Sequence, residues 1–399
     1  MMKPKYTIRD IYGDVVVTVR PAHENNPWMP SENKLNALSA RESLIADVPV
    51  LVHAATQSEK ARQLFQLAGL HFQEQPYVYR SKEQYDEVLK MWEDKGKKVV
   101  LQYIHDKKTL DRDAYWMDAD LLNYLNSKAY LSEIVPKQFI PKRTVVESNY
   151  LQKELKKWTL PLVLKPGDDT PTAGGYGVQI CHTDEQLEKA KKLFMQEGSK
   201  SVIIEKYVEE LENYSCQYAY SEKIGLQYLG TSVQITNDEG LYAGNVIVSD
   251  VPEQVIEAGR QIMQVGIDKG YVGVAGFDLL WTADGQVQAI DLNFRLNGST
   301  SMLLYYDSFE RPVAKFFTYD AASVDDNEAF YNMLADYVAQ GVLLPLSYYD
   351  GDLLEEKEPS TFVCIWYAQK LEEIERYEKS SFKYRGCRST IMGKGYVYT

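Results

Sequence analysis

An aspartate inside an apolar run, followed one tight turn later by a strand whose polar residues recur at every second position, limits what this chain can fold into. The two runs are Gly276-Phe-Asp-Leu-Leu-Trp281 and Ala289-Ile-Asp-Leu-Asn-Phe-Arg295, joined across Thr282-Ala-Asp-Gly285. Side chains alternate along a strand, so Asp291, Asn293 and Arg295 share one face. If the runs pair as a hairpin, Asp278 can lie on that face as well. Phe277, Leu279, Leu280 and Trp281 flank Asp278, and a buried carboxylate without a partner is costly. Two carboxylates and an amide oxygen make a hard-oxygen set suited to Mg2+, which keeps waters and takes its other ligands from nucleotide phosphates. The plainer alternative, a polar stripe facing solvent, leaves the apolar flanks of Asp278 unexplained.

Three weaker features precede this hairpin. Lys165-Pro-Gly-Asp-Asp-Thr-Pro-Thr-Ala-Gly-Gly-Tyr-Gly-Val178 places a lysine at a strand end and Gly174, Gly175 and Gly177 in the following loop. Glycines let backbone N–H groups close on phosphate oxygens, and the lysine adds a point charge. The GK[ST] signature of a Walker loop is absent; taken alone, the segment reads as a flexible hairpin loop. Lys128, in Asn126-Ser-Lys-Ala129, is expected early on a helix, where it can meet phosphate. Most helix lysines are simply solvated. Ile203-Ile-Glu-Lys-Tyr-Val208 ends a strand in Glu205 and runs into Glu209, Glu210 and Glu212. Such a stretch can pass beside an adenine, offering backbone donors and acceptors; the plain reading is an exposed charged turn.

Along the chain, strands are expected at 14–20, 49–53 and 98–104, with helices at 57–70 and 83–95, an alternation that argues for an open α/β sheet ending near Asp120. Leu121 to Glu133 reads as a helix. Strands at 160–165, 177–180 and 201–205 and a helix from Asp184 capped by Thr183 follow. Long antiparallel strands with turns such as Asn237-Asp-Glu-Gly240 fill 214–248, and a helix covers 251–269. Asp320 to Glu328 reads as an acidic linker to Tyr-rich strands and a helix near 369–377. The expected domains are 1–120, 121–319 with a small lobe at about 145–208, and 320–399.

Composition narrows the partners. The chain of 399 residues carries 44 Lys and Arg against 57 Asp and Glu, a net charge of −13. That balance disfavours nucleic acid. Cys181, Cys216, Cys364 and Cys387 are scattered, without metal-ligand spacing, as expected of a reducing compartment. Adjacent strand residues point to opposite faces, so Cys181 and His182 do not read as a catalytic dyad. The N-terminus lacks an apolar signal segment, and no run approaches the roughly 18 apolar residues of a membrane span. A cytoplasmic protein that does not enter membranes is expected.

With these features in this order, residues 128–301 resemble the ATP-grasp superfamily. The resemblance implies an α/β and α+β architecture: an N-terminal open α/β domain, an ATP-grasp fold with a small lid lobe, and a short C-terminal α+β extension. ATP would lie between two lobes, with Mg2+, or Mn2+ in its place. Lys128 and Lys165 would contact phosphates, and the Gly174–Gly177 loop would close over them. Glu205, Lys206, Tyr207 and Val208 would form the hinge beside adenine. Glu212 would take the ribose, with Asn213 or Glu209 as alternatives. Asp278, Asp291 and Asn293 would hold the metal; the family usually has Glu where this chain has Asp291. The segment Asn293-Phe-Arg-Leu-Asn-Gly-Ser-Thr-Ser301 is similar to amino-acid and peptide ligases of antibiotic biosynthesis, among them the butirosin acyl-carrier-protein glutamate ligase and the pheganomycin peptide ligase.

What this implies is a carboxylate, an amino acid's in this subgroup, activated as an acyl phosphate and passed to an amine or to a carrier-protein thiol. Arg295 and Lys165 would offset charge during phosphoryl transfer. Asn245, Arg295 and Ser299 are the expected substrate contacts. An acidic carrier protein would need a basic patch on this acidic chain, for which Lys142-Arg143 and Lys153 to Lys157 are the candidates. The rival readings are a kinase-like phosphotransferase and a nucleotide-binding protein without turnover. A homodimer is compatible with the sequence.

Overall fold

The computed structural model describes residues 2–23, 26–168, 171–236, 241–247, 250–382 and 387–389. The expected turn at Asn237–Gly240 and part of the loop after Lys165 (Asp169 and Thr170) lie outside the described residues.

The N-terminal segment forms a parallel arrangement from short apolar runs. β1 (Val16–Thr18) pairs with β4 (Val99–Leu101), and β2 (Leu51–His53) pairs with β3 (Tyr77–Tyr79). A bridge between Val17 and Val50 joins the two pairs. Each observed strand is shorter than its expected run. The helices Glu59–Leu67 and Lys82–Asp94 cover this layer, each begun by a serine whose hydroxyl accepts a backbone N–H of the first turn, that of Ala61 for Ser58 and that of Gln84 for Ser81.

The small lobe is a four-stranded antiparallel sheet in the order β5 (Arg143–Glu147), β8 (Ser201–Lys206), β6 (Leu162–Pro166), β7 (Gln179–Cys181). Its helix, Asp184–Gln196, opens with a capping box in which Thr183 and Gln186 satisfy each other's backbone N–H groups. Leu162, Leu164, Val202 and Ile204 face Ala190 and Phe194 of that helix in one core. By alternation Val163, Lys165 and Glu205 face the other way, into the molecule.

The remaining strands build one antiparallel sheet in the order β13 (Val287–Asn293), β12 (Gly273–Trp281), β9 (Glu212–Ser221), β10 (Gly225–Thr236), β11 (Tyr242–Val246), β14 (Val313–Ala321), β16 (Thr361–Ala368), β15 (Leu343–Tyr349), with β17 (Cys387–Ser389) also on β14. The helix Glu253–Asp268 packs Val255, Ala258, Ile262 and Met263 against Tyr214, Cys216, Tyr218, Phe277 and Leu279.

Two expectations are corrected here. Asp320 is not in a linker: it lies within β14 and accepts a hydrogen bond from Thr361 Oγ1 at 2.7 Å. β14 crosses the expected boundary at residue 320 and carries the sheet into the strands β16 and β15. The helix expected at 121–133 is broken. It runs Ala119–Asn126, stops at an extended Ser127, and resumes as a tight turn Lys128–Tyr130 before Leu131–Ile134. Lys128 therefore lies on a turn rather than early on a long helix.

Candidate active site

Between the inner faces of the small lobe and the large sheet lies a cavity of about 350 Å3. Val163 and Ile180 form one wall and Leu280 and Ile290 the other, with Tyr207 and Val208 along the edge, an apolar slot that fits a purine. Gly174, Gly175, Gly177, Lys206 and Glu205 line the same end. Gly174 and Gly175 have φ of 60° and 78°, a left-handed turn that other residues adopt reluctantly. Ala173 N donates to Trp28 O at 3.1 Å and Tyr242 N to Gly174 O at 3.0 Å, so the loop is held against both the N-terminal segment and β11.

Deeper in, Lys165 is buried. Its Nζ donates to Glu205 Oε1 at 2.7 Å and to Ile290 O at 3.0 Å. Burial lowers its pKa, opposed by Glu205 and assisted by the nearby Arg143 charge. Arg143, opposite Glu205 across β5 and β8, keeps its Nε 3.8 Å from Glu205 Oε2, an ion-pair distance without a hydrogen bond. Arg143 Nε and Nη1 and Glu205 Oε2 are buried without hydrogen-bond partners among the described residues. Two buried cations against one carboxylate leave the site net positive, which suits a polyphosphate.

The hairpin brings the expected metal ligands together, with a device that alternation alone does not contain. Asp278 lies directly opposite Asp291, and Gly276 opposite Asn293, but Leu279 lies opposite Ala289. Ile290 is thus an extra residue in β13, a β-bulge. It turns Ala289 into the core and Asp291 into the cavity, where unbroken alternation would keep the two on one face. Lys128 pairs with Asp291. Gln234 Nε2 donates to Asp278 Oδ1 at 2.6 Å. Burial and the facing Asp291 push the Asp278 carboxyl up. Burial also acts on Asp291, but the Lys128, Arg295 and Lys165 charges outweigh it and hold its carboxyl down. Among the described residues no group of three or more His, Cys, Asp or Glu side chains is placed to hold a metal by itself. Two carboxylates and the Asn293 amide on one face fit an ion that completes its shell with phosphate oxygens and water.

Arg295 follows at the end of β13. Its Nη1 donates to Asn126 Oδ1 at 2.8 Å, and its guanidinium lies over the Tyr103 ring, 4.8 Å from the centroid. It lines both the main cavity and an adjoining one bounded by Lys128 and Arg112. Asn245 and Ser299, both buried, line the far end: Asn245 Nδ2 donates to Ser232 Oγ at 3.1 Å and Ser299 Oγ accepts from Gln217 Nε2 at 2.8 Å.

Two expectations change. Glu212 lies opposite Trp281 in the β9–β12 register, on the face of Tyr214 and Cys216, and does not line the cavity; Glu209 does not either. Glu210 and Asn213 do. Lys142-Arg143 is no docking patch, since Arg143 is buried against Glu205 and Lys142 Nζ rests 4.8 Å over the Trp158 ring. Cys181 is a buried thiol whose pKa burial raises to about 11, consistent with no nucleophilic role. Sequence reasoning missed Gln234, Asn126, Tyr103 and the role of Arg143. Only the last had a signal, an arginine opening the first strand of the small lobe. The described residues contain no helix long and apolar enough to cross a membrane.

A nucleotide slot closed by a glycine loop, two buried cations and a pair of acidic strand positions between two sheets place this chain in the ATP-grasp superfamily, to which it belongs. It is an ADP-forming ligase that acts on a carboxylate with ATP and Mg2+. The particular family whose models it matches is L-aspartate–L-methionine ligase: the N-terminal domain over residues 7–123, the ATP-grasp domain over 141–293 and the C-terminal domain over 307–385. Among solved structures, the chain is similar to N5-carboxyaminoimidazole synthetase from Staphylococcus aureus bound to ADP (12% identity, TM-score 0.60, covering 93% of this chain and 97% of that one). It is also similar to biotin carboxylase from Campylobacter jejuni (11%, 0.58, 94% and 92%) and to phosphoribosylamine–glycine ligase from Thermotoga maritima (14%, 0.56, 94% and 97%). At these identities the likeness is one of fold.

Proposed function

We propose that this ligase activates a carboxylate of L-aspartate as an acyl phosphate and joins it to the amine of L-methionine. The match of all three domains to one dipeptide-ligase family carries the choice of substrates. The polar far end of the cavity, with Asn245, Ser299 and Arg295, supports a small charged substrate there.

The aspartate carboxylate oxygen attacks the γ-phosphorus, and ADP leaves. The methionine nitrogen then attacks the acyl carbon, phosphate leaves, and the amine gives up a proton. Asp278, Asp291 and Asn293 would hold Mg2+, which neutralises charge between the phosphates. Lys165 and Lys128 bind phosphate oxygens, and Arg295 stands where charge grows on the transferring group. Arg295 is oriented from two sides, by Asn126 and by the Tyr103 ring. The Gly174–Gly177 loop, held by Trp28 and Tyr242, keeps water from the acyl phosphate. An amine acceptor replaces the carrier-protein thiol in this reading, in keeping with the buried Arg143.

Incubation with Mg-ATP, hydroxylamine and single amino acids, with Asp291→Ala as control, tests the first step. Aspartyl hydroxamate with equimolar ADP is expected in the wild type alone. Adding methionine in place of hydroxylamine should yield one dipeptide per ADP by mass spectrometry. A hydroxamate of another acid, or AMP as the nucleotide product, would overturn the reading.

A further inference from the structure

We propose that Arg41 selects the acid: its guanidinium holds the non-reacting carboxylate of a dicarboxylic amino acid bound between the helix Glu32–Leu38 and strands β11 and β14. The inference rests on the aspartate-activating reading and names the residue that enforces it.

The cavity continues past Arg295 to a wall formed by one helix face. Lys34, Leu35 and Leu38 project there, and Arg41 follows in the turn after the helix, where its N–H donates to Leu38 O at 3.2 Å. The helix is anchored from behind: Asn36 Oδ1 accepts from Arg20 Nε at 2.7 Å, and Ala37 O from Ser347 Oγ at 2.8 Å. Among the described residues, every carboxylate lining the cavity (Glu205, Glu210, Asp278, Asp291) belongs to the nucleotide and metal end. The far end carries Lys34 and Arg41 and, among the described residues, no acid, a field that favours an anion.

Arg41 is only 7% exposed, yet it lines this end. Its Nε and Nη2 both engage Glu42 Oε1, at 2.7 and 2.6 Å. Nη1 makes no hydrogen bond among the described residues. Glu42 is completely buried and does not reach the cavity. One edge of the fork is thus held from behind, while the other is left for a carboxylate. Tyr242 stands between the two charged regions. It donates to Asn245 and feels both the Arg41 and the Asp278 charge. A small acid can therefore present one carboxylate to the metal face and the other to Arg41. Leu35 and Leu38 beside it offer apolar surface to an acceptor side chain.

The hydroxamate assay isolates this role, because hydroxylamine replaces the acceptor and only the ATP and acid subsites are read. Arg41→Met alone would strand a buried Glu42, so the double variant Arg41→Met/Glu42→Gln removes the pair together. Its KM for aspartate should rise about 30-fold or more, its preference for aspartate over asparagine should fall to near one, and its KM for ATP should stay unchanged. If the double variant loses ATP binding, Arg41→Lys carries the test. The charge stays but the fork is lost, so a severalfold rise in aspartate KM is expected with the preference kept. An unchanged aspartate KM and preference in the variant that binds ATP would overturn the assignment. So would an effect confined to the KM of methionine in the coupled assay. A wild type that makes no aspartyl hydroxamate sinks the aspartate reading itself, and this inference with it.

Discussion

The ammonium of Lys165 donates to the carbonyl oxygen of Ile290 at 3.0 Å, and so ties the small lobe to the bulge in β13. The same bulge turns Asp291 into the cavity. One lysine therefore serves both lobes: it carries charge into the cavity and braces the strand that bears Asp291 and Asn293.

Lys165→Ala should weaken ATP binding by about tenfold or more, the loss of a charge-assisted contact. Calorimetric titration with ATP checks this, and an unchanged affinity removes Lys165 from the phosphate site. Glu205→Gln leaves Lys165 and Arg143 buried without their carboxylate. It should cost about 3 kcal/mol of stability in denaturant unfolding.

Asp291→Ala and Asn293→Ala should each abolish ADP release while the thermal unfolding midpoint changes little. Chelation with EDTA should halt the wild type in the same way. ATP turnover that survives both substitutions would sink the metal assignment.

Gly276 lies opposite Asn293, and a Cβ there would meet the Asn297 side chain at 2.7–2.8 Å. Gly276→Ala should push the 295–299 turn outward and cost about 1–3 kcal/mol. Hydroxamate formation should fall while ATP affinity is kept, because the displaced turn carries Arg295 and Ser299 rather than the adenine slot. A kcat equal to that of the wild type would show that the turn adapts freely.

Stability should depend on pH through His105. Its Nδ1–H donates to Tyr103 O at 3.0 Å, which leaves Nε2 to accept from Tyr85 Oη at 2.8 Å. Burial lowers its pKa to about 4. Below the unfolded value of about 6.5 the unfolded chain takes up a proton that the folded chain refuses. Stability should therefore fall as pH drops from 6.5 to 4, by up to about 3 kcal/mol. His53, lowered by burial to about 4 as well, adds to the slope. Denaturant unfolding at pH 7.5 and 5.0 measures it, and His105→Gln should flatten it.

Much of the site was legible in the chain because it is written in local periodicity. Alternation around Asp278 and Asn293, the glycines after Lys165 and the apolar runs of β6, β8 and β12 each depend on neighbours a few residues away. These determined the class of fold, the order of the lobes and most residues that line the nucleotide end. Local pattern carries no register, and there the structure decided. Ala289 and Asp291 share a face by alternation, and only pairing with Leu279 and Asp278 introduces the bulge that separates them. Glu212 reads as a free acid until β12 sets its side chain on the core face. Asp320 reads as a linker residue until β16 and β17 close on either side of it. Arg41 carries no motif; its place comes from a helix facing strands some 200 residues further along, so only the tertiary fold could bring it to the substrate end of the cavity.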